Sequence, residues 1–421
     1  MEIKAVRGVK DILPGEVEKW QFVERTARQI FERYGYAEIK VPIFEQTSLF
    51  ARSIGEATDI VEKEMYSFED QGGEKLTLRP EATAGICRAY VEHKLYQQPG
   101  FVKFYCIGPM FRYERPQAGR FRQFYQIDVE AIGEASPVVD AEVLAMLVAF
   151  LRSLGLQQLE LRLNSLGDAV CRPRYREALL AFIQQHLSEL CVECQRRSER
   201  NPLRVLDCKK EECRRVMREA PRTVDFLCEP CRQHFETVGR LLAGVGISYV
   251  LDPKLVRGLD YYTRTTFEVL AEGIGAQNSV TGGGRYDGLI EEIGGPPTPG
   301  IGFAIGFERL VTVLEQQGLA VAEPRPHVFV APLGEAALSA AFTLVEQLRQ
   351  AGLRAEIGYD EKSLRSQLRR ANKLGAAFTL MLGERELAMG KVAVKDMQGG
   401  AQEEVALDAV VGYLRHKTAI A

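Results

Sequence analysis

Residues 108–130, GPMFRYERPQAGRFRQFYQIDVE, restrict the possible folds more than any other stretch of the chain. Phe111, Tyr113, Phe121, Phe124 and Tyr125 are β-prone and Pro116 to Gly119 supply a turn, so two strands joined by a mobile basic loop are expected. The seven charges are divided by that turn: Arg112, Glu114 and Arg115 precede it, and Arg120, Arg122, Asp128 and Glu130 follow it. Arginine suits such a place because its planar fork grips a phosphate or carboxylate through two parallel hydrogen bonds, which lysine cannot do. An ordinary hairpin with a solvated charged tip would have the same spacing, so spacing alone leaves both readings open.

The rest of the chain alternates helix and strand signals. Between residues 20 and 34, Val23, Ala27, Ile30, Phe31 and Tyr34 share one helical face, and Gly35 ends it. Residues 36–45 read as a strand in which Pro42, unable to donate to a ladder, indicates an edge or a bulge. Residues 76–83 read as a short strand that stops at Pro80 and opens a helix over 84–94, with Glu81 placed to meet the free amides of its first turn. A helix over 138–154 and a strand over 159–163 follow. Residues 167–236 then turn helical and strongly charged, and residues 191–231 hold six of the nine cysteines. Arg196, Arg197, Arg200, Arg204, Lys209, Lys210, Arg214 and Arg215 are diluted there by Glu193, Glu199, Glu211 and Glu212, so a nucleic-acid contact and a solvated face are both open.

Residues 255–269 run from a turn into a β-branched strand, and 300–310 form a glycine-spaced strand entering a helix. In Gly282-Gly283-Gly284-Arg285-Tyr286-Asp287-Gly288-Leu289 the glycines permit close backbone approach to a ligand, or mark a tight turn. No Gly-Lys-Ser/Thr follows, so this is not a P-loop. The segment 322–326 (AEPRP) marks a domain boundary. Beyond it, strands over 327–333, 354–359 and 377–382 alternate with helices over 336–350 and 363–374. Strands 391–396 and 403–407 and a last helix complete an α/β domain expected to have a mainly parallel sheet. Arg365, Arg369 and Lys373, with Lys362 and Arg370 beside them, make one basic helix face.

A length of 421 residues implies two or three domains. With 46% hydrophobic and 26% charged residues, no apolar run of membrane-spanning length and no apolar signal core near the start, the chain reads as soluble and cytoplasmic. A net charge of -3 excludes a global basic field, leaving local patches for any nucleic-acid contact.

Phe111-Arg112-x-Glu114 followed by Arg120-Phe121-Arg122-Gln123-Phe124-x-Gln126 resembles motif 2 of the class II aminoacyl-tRNA synthetases, and Gly-Arg-Phe-Arg-Gln-Phe-Tyr-Gln resembles its form in the histidyl-tRNA synthetase family. The long helix, strand and embedded Pro42 are similar to motif 1, the dimer interface of that class, and residues 300–310 to motif 3. Arg257-Gly258-Leu259-Asp260-Tyr261-Tyr262 resembles a signature peculiar to that family, and Thr77-Leu78-Arg79-Pro80-Glu81-x-Thr83 its amino-acid-binding element.

This resemblance covers essentially the whole chain and implies an α+β fold: a class II core over 1–321, an antiparallel sheet flanked by helices, interrupted by a helical insertion at 167–236 and followed by an α/β anticodon-binding domain over 326–421. It implies activation of histidine by ATP with Mg2+, transfer to tRNA(His), and a homodimer. Arg112 and Arg257 would hold the α-phosphate as the catalytic charges, and Arg309 the γ-phosphate. Glu81, Thr83 and Gln126 would meet the amino group of histidine, and Glu130, Tyr261 and Tyr262 would line the rest of its pocket, with Glu130 and Tyr262 at the imidazole. A catalytically inactive regulatory paralogue of the histidine-biosynthetic ATP phosphoribosyltransferase shares the core fold, but would be expected to lack the Arg-Gly-Leu-Asp-Tyr-Tyr string and the C-terminal domain; both are present. An accessory nucleic-acid-binding protein on the same core would not need the three arginines.

The chain departs from the general family in its cysteines. Cys191-x-x-Cys194 and Cys228-x-x-Cys231 are paired CxxC units in a chain expected to be cytosolic, so a structural zinc held by all four and a set of free thiols are both open; the 33-residue gap is long, Cys208 or Cys213 could replace a member, and Cys87, Cys106 and Cys171 read as core or surface thiols.

Overall fold

Two units divide the chain, residues 1–321 and 322–421. The computed structural model describes every residue except 1–2, 56–57, 59, 116–118, 260, 272–278, 320, 322–323, 360–362 and 419–421, and the side chain of Arg200. Pro116 to Ala118 of the expected basic loop, Asp260, Ala322, Glu323 and Lys362 therefore lie outside the described residues. No described helix is long and apolar enough to cross a membrane.

The strands of the first unit are β1 (Ala37–Glu38), β2 (Phe44–Gln46), β3 (Tyr66–Glu69), β4 (Lys75–Leu78), β5 (Val102–Phe111), β6 (Gln123–Ile132), β7 (Leu159–Ser165), β8 (Val250–Leu251), β9 (Thr263–Ala271), β10 (Ser279–Arg285) and β11 (Gly300–Gly306). Eight form one sheet in the order β1-β5-β6-β11-β10-β9-β7-β8; β2, β4 and β3 form a small second sheet. From β5 to β7 every pairing is antiparallel, and only the short edge strands β1 and β8 join in parallel. The expected pair of strands around the basic loop is the hairpin β5–β6, in register from Val102 opposite Ile132 to Phe111 opposite Gln123.

Strand alternation then separates core from site. Ile127, Val129 and Ala131 of β6 enter the main hydrophobic core beneath the helices Val17–Arg33 and Pro137–Ser153, while Gln126, Asp128 and Glu130 take the opposite face. The helix Val17–Arg33 has no side-chain N-cap. It is held by burial: Trp20, Val23, Ile30 and Phe31 are all core residues, each contributing roughly 1.5–3 kcal/mol on full burial, which outweighs a missing cap of about 1 kcal/mol. Trp20 stacks on Phe307 with ring centroids 4.3 Å apart.

Two expectations change. Residues 36–45 are not one strand but β1 and β2 with an irregular passage between them, because Pro42 cannot join a ladder. Arg79 occupies the gap instead, its Nη1 donating to the Val41 carbonyl (2.8 Å) and its backbone N–H to that of Ile43 (2.8 Å). The three glycines at 282–284 are also not a turn; they lie inside β10, paired on both sides.

Between β7 and β8 the insertion folds into the helices Arg172–Gln185, Val192–Arg200 and Glu211–Val216, packed on a small core of its own that includes Tyr175, Leu179, Ile183, Cys194, Val205 and Cys213. The next helix, Glu229–Gly244, runs through residue 236 and delivers Val238 and Leu242 to the main core. Its His234 Nε2 lies 2.8 Å from Asp140, which also pairs with the fully buried Arg285 (2.7 Å).

In the second unit, β12 (Val328–Leu333), β13 (Ala355–Ile357), β14 (Phe378–Gly383), β15 (Lys391–Asp396) and β16 (Gln402–Ala406) form a sheet of order β13-β12-β14-β15-β16. It is mixed rather than mainly parallel. β12 pairs in parallel with β13 and β14, but β14–β15 and β15–β16 are antiparallel, since the connections 384–390 and 397–401 are both too short for a crossover. The helix Leu364–Leu374 buries Gln367 and Ala371 and exposes Arg365, Arg369, Arg370 and Lys373.

Candidate active site

One cavity of about 920 Å³ opens on the polar face of the large sheet, and every residue assigned above to histidine or ATP binding lines it. Its two ends carry opposite kinds of ionisable group, carboxyls at one and guanidinium groups at the other. At one end stand Glu81, Asp128 and Glu130, all buried. Glu81 accepts hydrogen bonds from the backbone N–H groups of Thr83 and Ala84 (both 2.8 Å), at the start of the helix Thr83–Glu92. Glu130 accepts from the Thr83 hydroxyl (2.6 Å) and the Tyr286 hydroxyl (2.5 Å). Burial first, opposed by these two hydrogen bonds, pushes the Glu130 carboxyl up to about 8, and burial likewise raises Glu81. Asp128 is pushed well above the usual carboxylate range, by burial and then by Glu130 and Glu81. Both Asp128 oxygens and Gln126 Oε1 lack a hydrogen-bond partner among the described residues, although burial makes an unmet acceptor cost roughly 1–3 kcal/mol. These acceptors suit a cationic, hydrogen-bond-donating ligand.

At the other end are three guanidinium groups from three strands or their ends. Arg112, just past β5, donates from Nε to the Pro80 carbonyl (2.8 Å) and lies over the Phe124 ring. Arg257 comes from the turn before β9, 3.7 Å from Glu268, with its guanidinium over the Tyr262 ring. Arg309, in the first turn of the helix Phe307–Gln316, lies 3.4 Å from the Ser279 carbonyl. Burial first, then the neighbouring Arg120, and to a smaller degree Arg112, lowers the Arg309 pKa, opposed by Glu114 and Glu268.

Two glycines make this geometry possible. A Cβ on Gly282 would fall 2.2 Å from Arg257 Nη1, and one on Gly302 would fall 1.9 Å from Glu130 Oε2. The glycine-rich character of β10 and β11 is thus clearance for one side chain at each end of the cavity.

A model of the family described as histidyl-tRNA synthetase matches residues 8–310, and one described as anticodon binding domain matches residues 327–417. The histidine–tRNA ligase of Syntrophotalea carbinolica is 53% identical over 418 residues, covering 99% of both chains, and that of Desulforamulus reducens is 53% identical over 98% of this chain. The chain belongs to the histidyl-tRNA synthetase family. The structure of apo S. aureus histidyl-tRNA synthetase superimposes with a TM-score of 0.85 at 40% identity, covering 98% of this chain and all of that one. The fold is the α+β class II core with a C-terminal anticodon-binding domain. A Bacillus halodurans protein described as an ATP phosphoribosyltransferase regulatory subunit/histidyl-tRNA synthetase aligns with TM-score 0.65 at 19% identity, a likeness of fold alone that does not favour the regulatory reading.

The sequence patterns do not by themselves bring several lining residues to this cavity. Asp128 follows from strand alternation, which puts it between Gln126 and Glu130 on the same face. Tyr286 belongs to the glycine segment 282–289, which was open to a ligand, but its bond to Glu130 has no local signal. Lys209 and Arg214, candidates for a nucleic-acid contact, and Cys208, a candidate zinc ligand, line the mouth of the cavity together with Asp207 and Arg218, for which no pattern spoke. In the insertion, Arg196 and Arg197 pair with Glu193 (3.1 and 3.4 Å), while Arg204 donates to the Gly258 carbonyl (2.6 Å) beside Arg257.

The candidate zinc quartet is not formed. Cys191 and Cys194 gather with Cys208 and Cys213, whereas Cys228 and Cys231 gather with Asp168 and Cys171. The long gap between the CxxC units is the physical reason, since each helix start finds ligands closer at hand.

Proposed function

We propose that the chain activates L-histidine with ATP and transfers it to tRNA(His). The observation that carries this is the bipolar cavity: buried carboxylates and unmet acceptors at one end, three converging arginines at the other. A histidine with its ammonium and imidazole toward the carboxylates presents its own carboxylate toward the arginines. That carboxylate attacks the α-phosphate of ATP in line, the bond to the β-phosphate breaks, and pyrophosphate leaves. Arg112 and Arg257 offset the charge that grows on the α-phosphate, and Arg309 holds the γ-phosphate; ATP arrives as its Mg2+ complex. Glu81, Thr83 and Gln126 take the ammonium, while Glu130, Tyr261 and Tyr262 enclose the ring. A substrate lacking the ring nitrogens would give up its hydrogen bonds to Glu130 and Tyr262 in a buried pocket, and that gives specificity.

The second unit would read the anticodon, with the exposed helix face of Arg365, Arg369, Arg370 and Lys373 available for phosphate contacts. The cytoplasm, where tRNA is charged, is its compartment. A homodimer through the helix ending at Gly35 and the Pro42 segment is supported by Ile43 and Phe44, which are 44% and 53% exposed. An active monomer at micromolar concentration in equilibrium sedimentation would remove it. Cys191, Cys194, Cys208 and Cys213 fit a structural zinc: four thiols whose sulfurs lie within 4.8 Å of one another, with the Cys191 N–H donating to Cys213 Sγ (3.2 Å). The decisive test of the activity is exchange of labelled pyrophosphate into ATP. It should depend on histidine and on no other amino acid, followed by charging of tRNA(His). Absence of histidine-dependent exchange would reject the proposal.

A further inference from the structure

The two CxxC units have the same local build. Cys191 and Cys228 each occupy the N-cap of a helix in extended backbone, at φ/ψ of -63/154° and -66/161°, and Cys194 and Cys231 each fall in the first helical turn. This places each pair of sulfurs together beside free helix amides, which favours thiolate. If Cys191 and Cys194 begin a metal site, Cys228 and Cys231 have equal claim to begin another.

Their surroundings complete it. Cys171 Sγ lies 3.5 Å from Asp168 Oδ1, and Cys228 Sγ lies 3.8 Å from the same atom; one ligand atom from each of Asp168, Cys171, Cys228 and Cys231 lies within 4.8 Å of all the others. A zinc ion with Zn–S of about 2.3 Å and Zn–O of about 2.0–2.2 Å has tetrahedral edges of about 3.5 Å from sulfur to oxygen, close to the separations from Asp168, and of about 3.8 Å between sulfurs, which fits inside the span of the cluster. The Asp168 N–H donates to Cys171 Sγ (3.2 Å), as Cys191 N–H does to Cys213 in the other cluster, and such donation stabilises a ligating thiolate. Cys171 and Cys231 are 3% and 1% exposed, so the cluster is closed to solvent on most sides.

We propose that Asp168, Cys171, Cys228 and Cys231 bind a second zinc ion that clasps the root of the insertion. Asp168 lies three residues after β7, where the chain leaves the catalytic sheet, and Cys228 begins the helix that returns it to the main core. The clasp also reaches the substrate pocket. Arg264 lies 3.4 Å from Asp168, its backbone N–H donates to the Gly167 carbonyl (2.8 Å) and its carbonyl accepts from Leu166 (2.7 Å). These contacts hold Arg264 at φ 44°, a left-handed conformation that is strained for a non-glycine residue. Arg172 donates to the Tyr262 carbonyl (3.2 Å). The ion thus fixes the segment that carries Tyr261 and Tyr262, while the four-cysteine site organises the part of the insertion at the cavity mouth.

The test is metal stoichiometry on the full-length chain purified without chelator. Two zinc ions per chain are expected, falling to one in Cys171→Ser and, independently, to one in Cys208→Ser; with Co2+ in place of zinc, the two variants should leave different visible spectra, one from a three-sulfur, one-oxygen site and one from a four-sulfur site. Alkylation of the wild-type chain followed by mass spectrometry covers the case in which a variant does not fold. Cys228 is only half-buried, so metal-free it should react readily, and metal-bound it should react only after a chelator is added. Cys87 and Cys106, buried and outside both clusters, are the internal controls. A single zinc per chain retained by Cys171→Ser, or a Cys228 that reacts equally with and without chelator, overturns the proposal.

Discussion

At the carboxylate end of the cavity Glu81, Asp128 and Glu130 are almost wholly buried, and Glu81 and Glu130 are tied down by the start of a helix, Thr83 and Tyr286; at the arginine end Arg112, Arg257 and Arg309 are only part-buried and are held by single carbonyls, ring faces and one long ion pair. The first end is rigid before any ligand arrives, as discrimination among small side chains requires. The second keeps its charges partly hydrated until phosphates replace the water, as stabilisation of a transient charge requires. Substitutions at the two ends should therefore fail in different ways.

The largest effect is expected at the arginine end. Arg257→His should lower the rate of adenylate formation by roughly 10²–10³-fold, in line with loss of one aimed charge, with histidine binding nearly unchanged. Pyrophosphate exchange at the parental rate would remove Arg257 from the chemistry. The glycine pair separates the two ends more sharply. Gly282→Ala pushes on Arg257 and should lower kcat, whereas Gly302→Ala meets both Glu130 Oε2 and the Val129 backbone carbonyl of the paired strand (2.2 Å), and should raise KM for histidine by about tenfold or more together with a lower Tm. If both variants shift the same constant, the two ends do not act separately.

A third, smaller effect concerns pH. Glu130 is pushed up from 4.5 to about 8 and Glu308 from 4.5 to about 7, so the folded chain keeps protons that the unfolded chain releases above 4.5. Stability of the ligand-free protein should thus be greatest below that value and decline as pH rises toward 8. Glu130→Gln should flatten the decline in Tm; an unaltered slope would show that Glu130 ionises without penalty. The smallest effect on activation is expected from removing residues 322–421, a separate compact unit. Pyrophosphate exchange should persist within severalfold while tRNA charging falls, because only the second step uses the tRNA. Undiminished charging would leave the Arg365, Arg369 and Lys373 face as a merely solvated one.

Sequence patterns located each part of the site but not its connections. The hairpin around residue 112, the start of the helix after Pro80 and the strand entering a helix near Arg309 all depend on neighbours within a few residues, and all appear where expected. Asp128 was readable from alternation once β6 was placed. Tyr286 was not, since its bond to Glu130 spans 156 residues.

The sequence by itself determined which chemical groups the protein carries and the local backbone that presents them: alternation on β6, a helix start at Glu81, and two CxxC units in a helical insertion. It also determined membership of a family whose strings recur in order along the chain. Only the tertiary structure decided which distant groups meet. It divided the cysteines into two clusters, replaced the ladder at Pro42 with the Arg79 side chain, and brought the insertion to the cavity mouth. The physical reason is range: propensity, capping and alternation act over a few residues, whereas contacts between segments tens of residues apart depend on the path of the whole chain and on which buried groups find partners at its end.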